Sequence, residues 1–447
     1  MPTSSPFVRM CGHCFPETSS AREPPRGLAA FVTAKQSTSP SRELARCLTP
    51  RKTAMTDQAT KPLSPADIDQ ARRRIRTVLM VGQVLAGLGM GSTLSVGAIL
   101  ATDLSGSAGW SGMAATLATL GAALGAMPLA KLASAKGRSW SLATGAWVAS
   151  IGAALAVTST VTRWFPLLLV ALVLIGVGTA VNLQARFAAT DVSTDKHRAT
   201  DLSLVVWATT VGAVSGPNLI GPGDAFGLWL GLPELAGPFV ITVLAQLSAG
   251  VLYRVGLRPE PLSVAKRIAS EAPVGEAVKA VGDDRPADRV TAFISIALSH
   301  ATMVAVMAMT PVHLVDHGAS LVIVGFTISL HIAGMYALSP IFGILADRVG
   351  RKPTVLFGQA MLGASLLATG FGSESEGWVI TGLILLGTGW SAATVAGSAL
   401  LTESTPVALR TKVQGLSDVV MSAAGATGGA LSGLALIAVG YNGLSLV

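Results

Sequence analysis

The chain of 447 residues is 51% hydrophobic and only 13% charged, with a mean hydropathy of +0.59 and a net charge of +8. That balance excludes an ordinary soluble globular domain, and the basic excess comes without the reading element of a nucleic-acid binder. The three cysteines, Cys11, Cys14 and Cys47, all precede residue 55, which excludes a disulfide or cysteine catalysis in the body of the chain.

Residues 1–77 read as a disordered polar segment, rich in Ser, Pro, Thr and Arg at its start. They contain no apolar stretch of the kind a secretory signal needs. Met55 is a second plausible start, so the first 54 residues are expected to be a mis-annotated extension. Cys11-Gly12-His13-Cys14 lacks the strand and helix of a redox motif and has no second ligand pair for zinc.

Eleven apolar stretches follow: Val78–Ala101, Ser111–Leu132, Ser141–Val161, Pro166–Gln184, Leu202–Gly221, Pro238–Leu257, Val290–Val312, Leu321–Ala346, Thr354–Phe371, Trp378–Leu401 and Val413–Val439. A bilayer core about 30 Å thick needs roughly 20 apolar residues per helical crossing. The expected class is therefore an all-α polytopic membrane protein. With the N-terminus in the cytoplasm, the inner loops carry Lys131, Lys136, Arg138, Lys196, Arg198, Arg348, Arg351, Lys352, Arg410 and Lys412. The outer loops carry Asp103, Asp224, Glu234, Asp316, Glu374 and Glu376, with Arg163 as the lone cation. This is the positive-inside bias, so the net charge reads as a topology signal in the cell membrane.

The two halves echo each other. Ala130–Ser139 aligns with Gly343–Lys352 at an offset of 213, and Thr190-Asp191 with Arg198 aligns with Thr402-Glu403 and Arg410 at an offset of 212. The expected organisation is two six-helix repeats: residues 78–257, a cytoplasmic linker at 258–289, and 290–447. Position 212 residues after Ala236, where a twelfth span is expected to open, lies beyond Val447. Five helices are thus visible in the second half, and the expectation is a truncated gene model. Parallel repeats of this kind place substrate near the bilayer midplane between the halves.

Gly343-Ile344-Leu345-Ala346-Asp347-Arg348-Val349-Gly350-Arg351-Lys352 resembles the loop signature of the major facilitator superfamily. In the first half the same loop is eroded, with Ser134 and Ala135 in place of the Asp-Arg pair. The resemblance implies a conformational-switch loop built from Gly343, Asp347, Arg348, Gly350, Arg351 and Lys352. In that loop Asp347 is expected against the amino end of a neighbouring helix. Arg348 and Arg351 are expected to pair with Asp191, Asp195 or Asp201, and Lys352 only to mark the cytoplasmic side. Gly212-x-x-x-Gly216-Pro217 resembles the tail of the drug/proton antiporter signature and implies a bend in the fifth span. The arginine which that family carries in its fourth span is replaced by Leu172.

Ionisable groups inside the membrane are candidates for coupling, because each is costly there. His300, His331 and Asp418 are those candidates. Arg186 is expected to snorkel at the inner end of its span. Gln83, Ser92, Asn182, Thr302 and Trp390 are expected to line the central cavity, since the resemblance places their spans around it. His313 and His317 read as solvated polarity beside Asp316. No catalytic set and no phosphate loop is visible, which argues against an enzyme or an ATP-driven pump. The expected protein is a monomeric secondary transporter of small organic molecules. It works by proton-coupled efflux and alternating access, without metal, cofactor or nucleic acid. A major-facilitator importer of a metabolite or sugar, or a non-functional truncated transporter, is the alternative.

Overall fold

The computed structural model describes residues 64–107, 110, 113–194, 196–271 and 284–446. The readings made on residues 1–54, on Met55 and on Asp195 lie outside them. Fourteen α-helices occur among the described residues. The first eight are α1 (Pro65–Ser105), α2 (Met113–Lys136), α3 (Arg138–Thr162), α4 (Phe165–Thr190), α5 (Arg198–Asn218), α6 (Ile220–Trp229), α7 (Gly237–Gly256) and α8 (Pro261–Glu271). The other six are α9 (Pro286–Asp316), α10 (Leu321–Tyr336), α11 (Ser339–Arg348), α12 (Arg351–Phe371), α13 (Glu376–Glu403) and α14 (Arg410–Leu446).

Each expected apolar stretch falls on a helix or a pair of helices. Among the described residues, nine helical segments are long and apolar enough to cross a membrane, and α1 and α5 cover the two remaining stretches. The eighth stretch is two helices, because Pro340 has no N–H to continue the ladder and the chain breaks at Ala337 and Leu338.

Two expected boundaries are corrected. Residues 65–77, read as disordered, form the first turns of α1. Ser64 and Asp67 close a capping box there, Pro65 occupies the first turn, and Ala71 and Ile75 are buried. The linker expected at 258–289 contains α8. It buries Leu262, Val264 and Ala265 while Ser263 and Lys266 face out, an amphipathic pattern that a reading for apolar stretches passes over.

The two-repeat arrangement gives each half its own core. Ile75, Leu79, Leu142, Val181 and Tyr253 pack together in the first half, with Leu100, Leu168, Leu172 and Phe239 in a second cluster. Ile296, Met303, Leu386, Trp390 and Met421 pack in the second half. In lipid, such packing depends on close backbone approach rather than on escape from water. Gly121 and Gly176 supply it between α2 and α4: a Cβ on Gly121 would overlap Val173 O, and one on Gly176 would overlap Ala118 O. Helix α13 has 78% of its apolar window buried, against 22–56% for the other eight segments, which makes it the central helix of the second half.

Charge divides the two ends of the bundle. One end gathers Lys136, Arg138, Arg348, Arg351 and Lys352 at the helix junctions, and is called the basic end below. The other holds Asp103 with Arg163, and Glu374 with His317.

Candidate functional site

Three small apolar clusters join the halves, all towards the basic end. Phe187 meets Ala292, Leu400 and Leu401, and Ala199 meets Ala346, Val355, Ala396 and Ala399. Leu202 and Val206 meet Val395 and Tyr336. Around them polar groups form two interfaces that occupy equivalent places in the two repeats.

At the first, α5 packs on α11. The Asp347 carboxylate accepts the backbone N–H groups of Ala199 (3.1 Å) and Thr200 (2.8 Å), together with the Thr200 hydroxyl (2.5 Å). A carboxylate there satisfies orphan donors of α5 and meets the positive end of its dipole. Arg351 pairs with Asp347 at 2.7 Å and with Glu403 at 3.3 Å. Glu403 also receives Arg285 at 3.1 Å. Gly343 lets the two helices touch: a Cβ there would lie 2.8 Å from Ala199 O.

At the second, α2 packs on α14. Gly415 meets Ala130, and a Cβ on Gly415 would overlap that of Ala130. Ser134, standing where the second repeat has Asp347, is exposed and donates only to Lys131 O. The connection is made instead by Arg138, 1% exposed, which pairs with Asp191 at 2.8 Å and donates to Gln414 Oε1 across the interface. Gln414 in turn donates to Thr402 Oγ1 at 3.2 Å. Deeper in, Arg186 of α4 pairs with Asp418 of α14 at 2.8 Å, with side-chain exposures of 3% and 0%. Asp418 lies about 12 Å along α14 from its start, at 1.5 Å per residue. Arg186 also lies against the Phe187 ring and Met421 Sδ. Its Nε, the second Asp418 oxygen and Ser417 Oγ have no hydrogen-bond partner. A buried pair left half-satisfied in this way is unstable to loss of either member.

Next to this pair lies an aromatic group. Trp390 Nε1 donates to His300 Nδ1 at 3.1 Å, and Tyr336 meets Trp390 edge to face at 5.8 Å between ring centres. Arg186 is within electrostatic reach of His300 and of Tyr336. His300 also fills the space over Gly425 of α14.

Of the residues singled out in the sequence, His300, Trp390 and Asp418 thus share one region. His331 lies apart, fixed by Leu383 O at 2.9 Å. Gln83 donates to Asn182 O at 3.2 Å, linking α1 to α4, and Thr302 is half-buried. The Ser92, Gly216 and Pro217 side chains lie outside the described residues. Gly212 packs on α1, where its Cβ would lie 2.6 Å from Gly87 Cα, and α5 continues past Pro217 to Asn218 before the chain turns at Leu219.

Several expected partners are corrected. Arg351 and Arg348 do not reach Asp191 or Asp201. Asp191 belongs to Arg138, and Asp201 is taken by Arg72 (2.5 Å) and Arg76 (3.0 Å) from the helical start of α1. Arg348 is exposed. Lys352, read as a topology marker, pairs with Asp288 at 2.7 Å. Arg186, expected to snorkel at the inner end of the fourth span, is instead buried against Asp418, so this span does carry a buried arginine, though not at Leu172. His313 is buried rather than solvated: its ring Nε2 donates to Ser373 O at 2.9 Å, and the ring stacks on Tyr441 at 4.1 Å. The signal available was the repeat itself: Arg138 and Asp191 align with Arg351 and Glu403, so one pair foretells the other.

The model of the Major Facilitator Superfamily matches residues 79–335 and 291–447. An uncharacterized MFS-type transporter of Bacillus subtilis, YddS, is 38% identical over 390 residues, covering 86% of this chain and 89% of its own length. The riboflavin transporter RfnT of Brucella anthropi is 27% identical, covering 79% of this chain and 87% of its own. Among solved structures, the human organic anion transporter MFSD10 superposes with a TM-score of 0.66 at 16% identity, covering 86% of this chain and 96% of that one. The proton:xylose symporter XylE superposes with a TM-score of 0.64 at 15% identity, covering 84% and 92%. The fold, the repeat and these matches agree: this chain belongs to the major facilitator superfamily and is a multi-pass transporter of a small substrate.

Proposed function

We propose that the protein is a proton-coupled exporter of small organic molecules that works by alternating access. The observation that carries this reading is the buried Arg186–Asp418 pair, because it joins α4 of one half to α14 of the other. A proton on Asp418 removes one charge and weakens the bond holding the halves together at the basic end. The halves then part there, the proton leaves inward, and the re-formed pair closes that end again. Proton entry is thereby tied to exposure of the substrate site to the inside, which is the requirement for exchange of an entering proton against a departing substrate. His300 and Trp390 form the wall beside the pair that a substrate would touch, and Asp347, Arg351 and Glu403 hold the other interface. The contact of Gly212 with Gly87 supports the antiporter resemblance of the fifth helix.

In this reading the protein works as a monomer in the cell membrane with its N-terminus in the cytoplasm, an orientation that the loop charges support. Labelling tests the orientation: a cysteine at the exposed Lys136 is reached from inside and one at Ser375 from outside. Everted vesicles carrying a proton gradient test the coupling. Compounds that are exported release protons in the wild type, and Asp418→Asn abolishes that release. Release that survives in Asp418→Asn removes this residue from the coupling role. Import is the second reading; flux inward down the proton gradient identifies it.

A further inference from the structure

Beside α8, the first turns of α1 leave a cavity of about 300 Å³ at the basic end. Arg74 and Gln70 line it from α1, Arg267 and Ser263 from α8, and Ala71 and Val264 form its apolar floor. Asp67 also borders it, but its carboxylate accepts from Ser64 N and Oγ (3.3 and 2.7 Å) as part of the helix cap. Arg72 and Arg76 point from another face of the same turns to Asp201. Arg74 and Arg267, which line the cavity, lie outside the site described above.

The height of this cavity is set by its neighbours. Trp140 is 38% exposed and lies under Arg254 at 4.3 Å, with Lys136 at 5.8 Å. An exposed tryptophan flanked by cations marks the head-group level of a bilayer. Arg74 Nε donates to Gly256 O at 3.2 Å, two residues beyond Arg254, so this guanidinium stands at that level. Its amino nitrogens stay available for a second acceptor, and a planar guanidinium fork suits phosphate oxygens. Helix α8 packs its apolar face on the protein and turns the exposed Ser263 and Lys266 outward beside Arg267.

We propose that this cavity binds the phosphate of an anionic phospholipid head group. Arg74 and Arg267 hold the phosphate oxygens, and Gln70 and Ser263 meet head-group hydroxyls. A bound lipid would fix the first turns of α1, which also deliver Arg72 and Arg76 to Asp201 on α5.

The test uses the full chain purified in neutral detergent, with phosphatidylglycerol, phosphatidylcholine and glycerol phosphate as probes. Lipid retention is read by native mass spectrometry and stabilisation by thermal unfolding. Phosphatidylglycerol is expected to be retained and to raise the unfolding midpoint, with phosphatidylcholine doing neither. Arg74→Gln with Arg267→Gln is expected to weaken phosphatidylglycerol binding about tenfold or more. Lys266→Gln, outside the cavity, is expected to keep it. A matching rise with glycerol phosphate that the double variant loses supports the phosphate site and identifies a soluble ester as its occupant. Equal phosphatidylglycerol retention in wild type and double variant overturns the proposal. If the double variant fails to fold, the single variants Arg74→Gln and Arg267→Gln decide: weakened phosphatidylglycerol binding in either supports the site, and retention equal to wild type in both overturns it.

Discussion

The α5–α11 and α2–α14 interfaces sit at equivalent places in the two repeats, yet they are built differently. At α5–α11 a carboxylate, Asp347, holds a helix start, and its arginine partner Arg351 shares a half-exposed acid, Glu403. At α2–α14 the carboxylate position is Ser134, and a fully buried arginine, Arg138, crosses to Gln414 while Arg186 crosses to Asp418. Even the close contacts are exchanged. Gly343 meets Ser203 at one interface, and Ala130 meets Gly415 at the other, with the small residue moved to the opposite helix. One interface thus rests on a carboxylate that keeps its helix-end donors when its arginine is lost, and the other on buried charges that are left unpaired when one member is lost. On the proposed mechanism the second is the proton-sensitive latch and the first a hinge contact.

The largest effect is expected where a buried charge is orphaned. Arg186→Gln leaves Asp418 alone, which is expected to cost about 3–5 kcal/mol in stability. Thermal unfolding measures it, and the double variant Arg186→Gln with Asp418→Asn is expected to recover most of the loss. Failure of that rescue would mean the two residues do not act as a pair.

A smaller contrast separates the repeat-related arginines. Arg138→Gln breaks a buried pair and is expected to destabilise by about 3 kcal/mol. Arg351→Gln leaves Asp347 still held by the Ala199 and Thr200 donors and is expected to cost less, about 1 kcal/mol. Equal losses in the two variants would erase the distinction drawn between the interfaces.

Capping comes next. Asp347→Asn is expected to cost about 1 kcal/mol, the worth of a helix cap, and to reduce transport without removing the protein from the membrane. Ser134→Asp tests the converse: a carboxylate supplied to the eroded loop is expected to slow opening of the α2–α14 interface. Unchanged turnover in both variants would leave this loop with no part in the motion.

The smallest effect concerns shape. Gly415→Ser alone is expected to lower transport by collision with Ala130, and Ala130→Gly added to it recreates the Gly343–Ser203 arrangement and restores activity. Unfolding midpoints and flux measured on the single and double variants decide this.

Much of the fold was legible because apolar runs of roughly 20 residues have only one use in a bilayer, and because offsets of 212 and 213 expose the repeat. The break at Leu338 and the amphipathic α8 were passed over, since a window that averages hydropathy blurs both. The site was legible in its members more than in its connections. His300, Trp390 and Asp418 stood out as polar or aromatic groups in apolar helices, but Arg186 was placed at a surface it does not reach. Pairing across the halves joins residues such as Arg186 and Asp418 that are 232 positions apart, and no local pattern encodes it. The helical start of α1 was missed for the same reason: Arg72 and Arg76 gain their meaning from Asp201, which is distant in sequence.

The central claim is that protonation of Asp418 opens the basic end between α2 and α14. Its most direct test is the distance between spin labels at the exposed positions Lys131 and Lys412, with Cys11, Cys14 and Cys47 changed to Ser. In lipid, the wild type is expected to show a short distance at pH 7.5 and a growing long-distance population as the pH falls. Asp418→Asn, permanently uncharged, is expected to show the long population at both pH values. A wild-type distribution that ignores pH and matches that of Asp418→Asn would contradict the account.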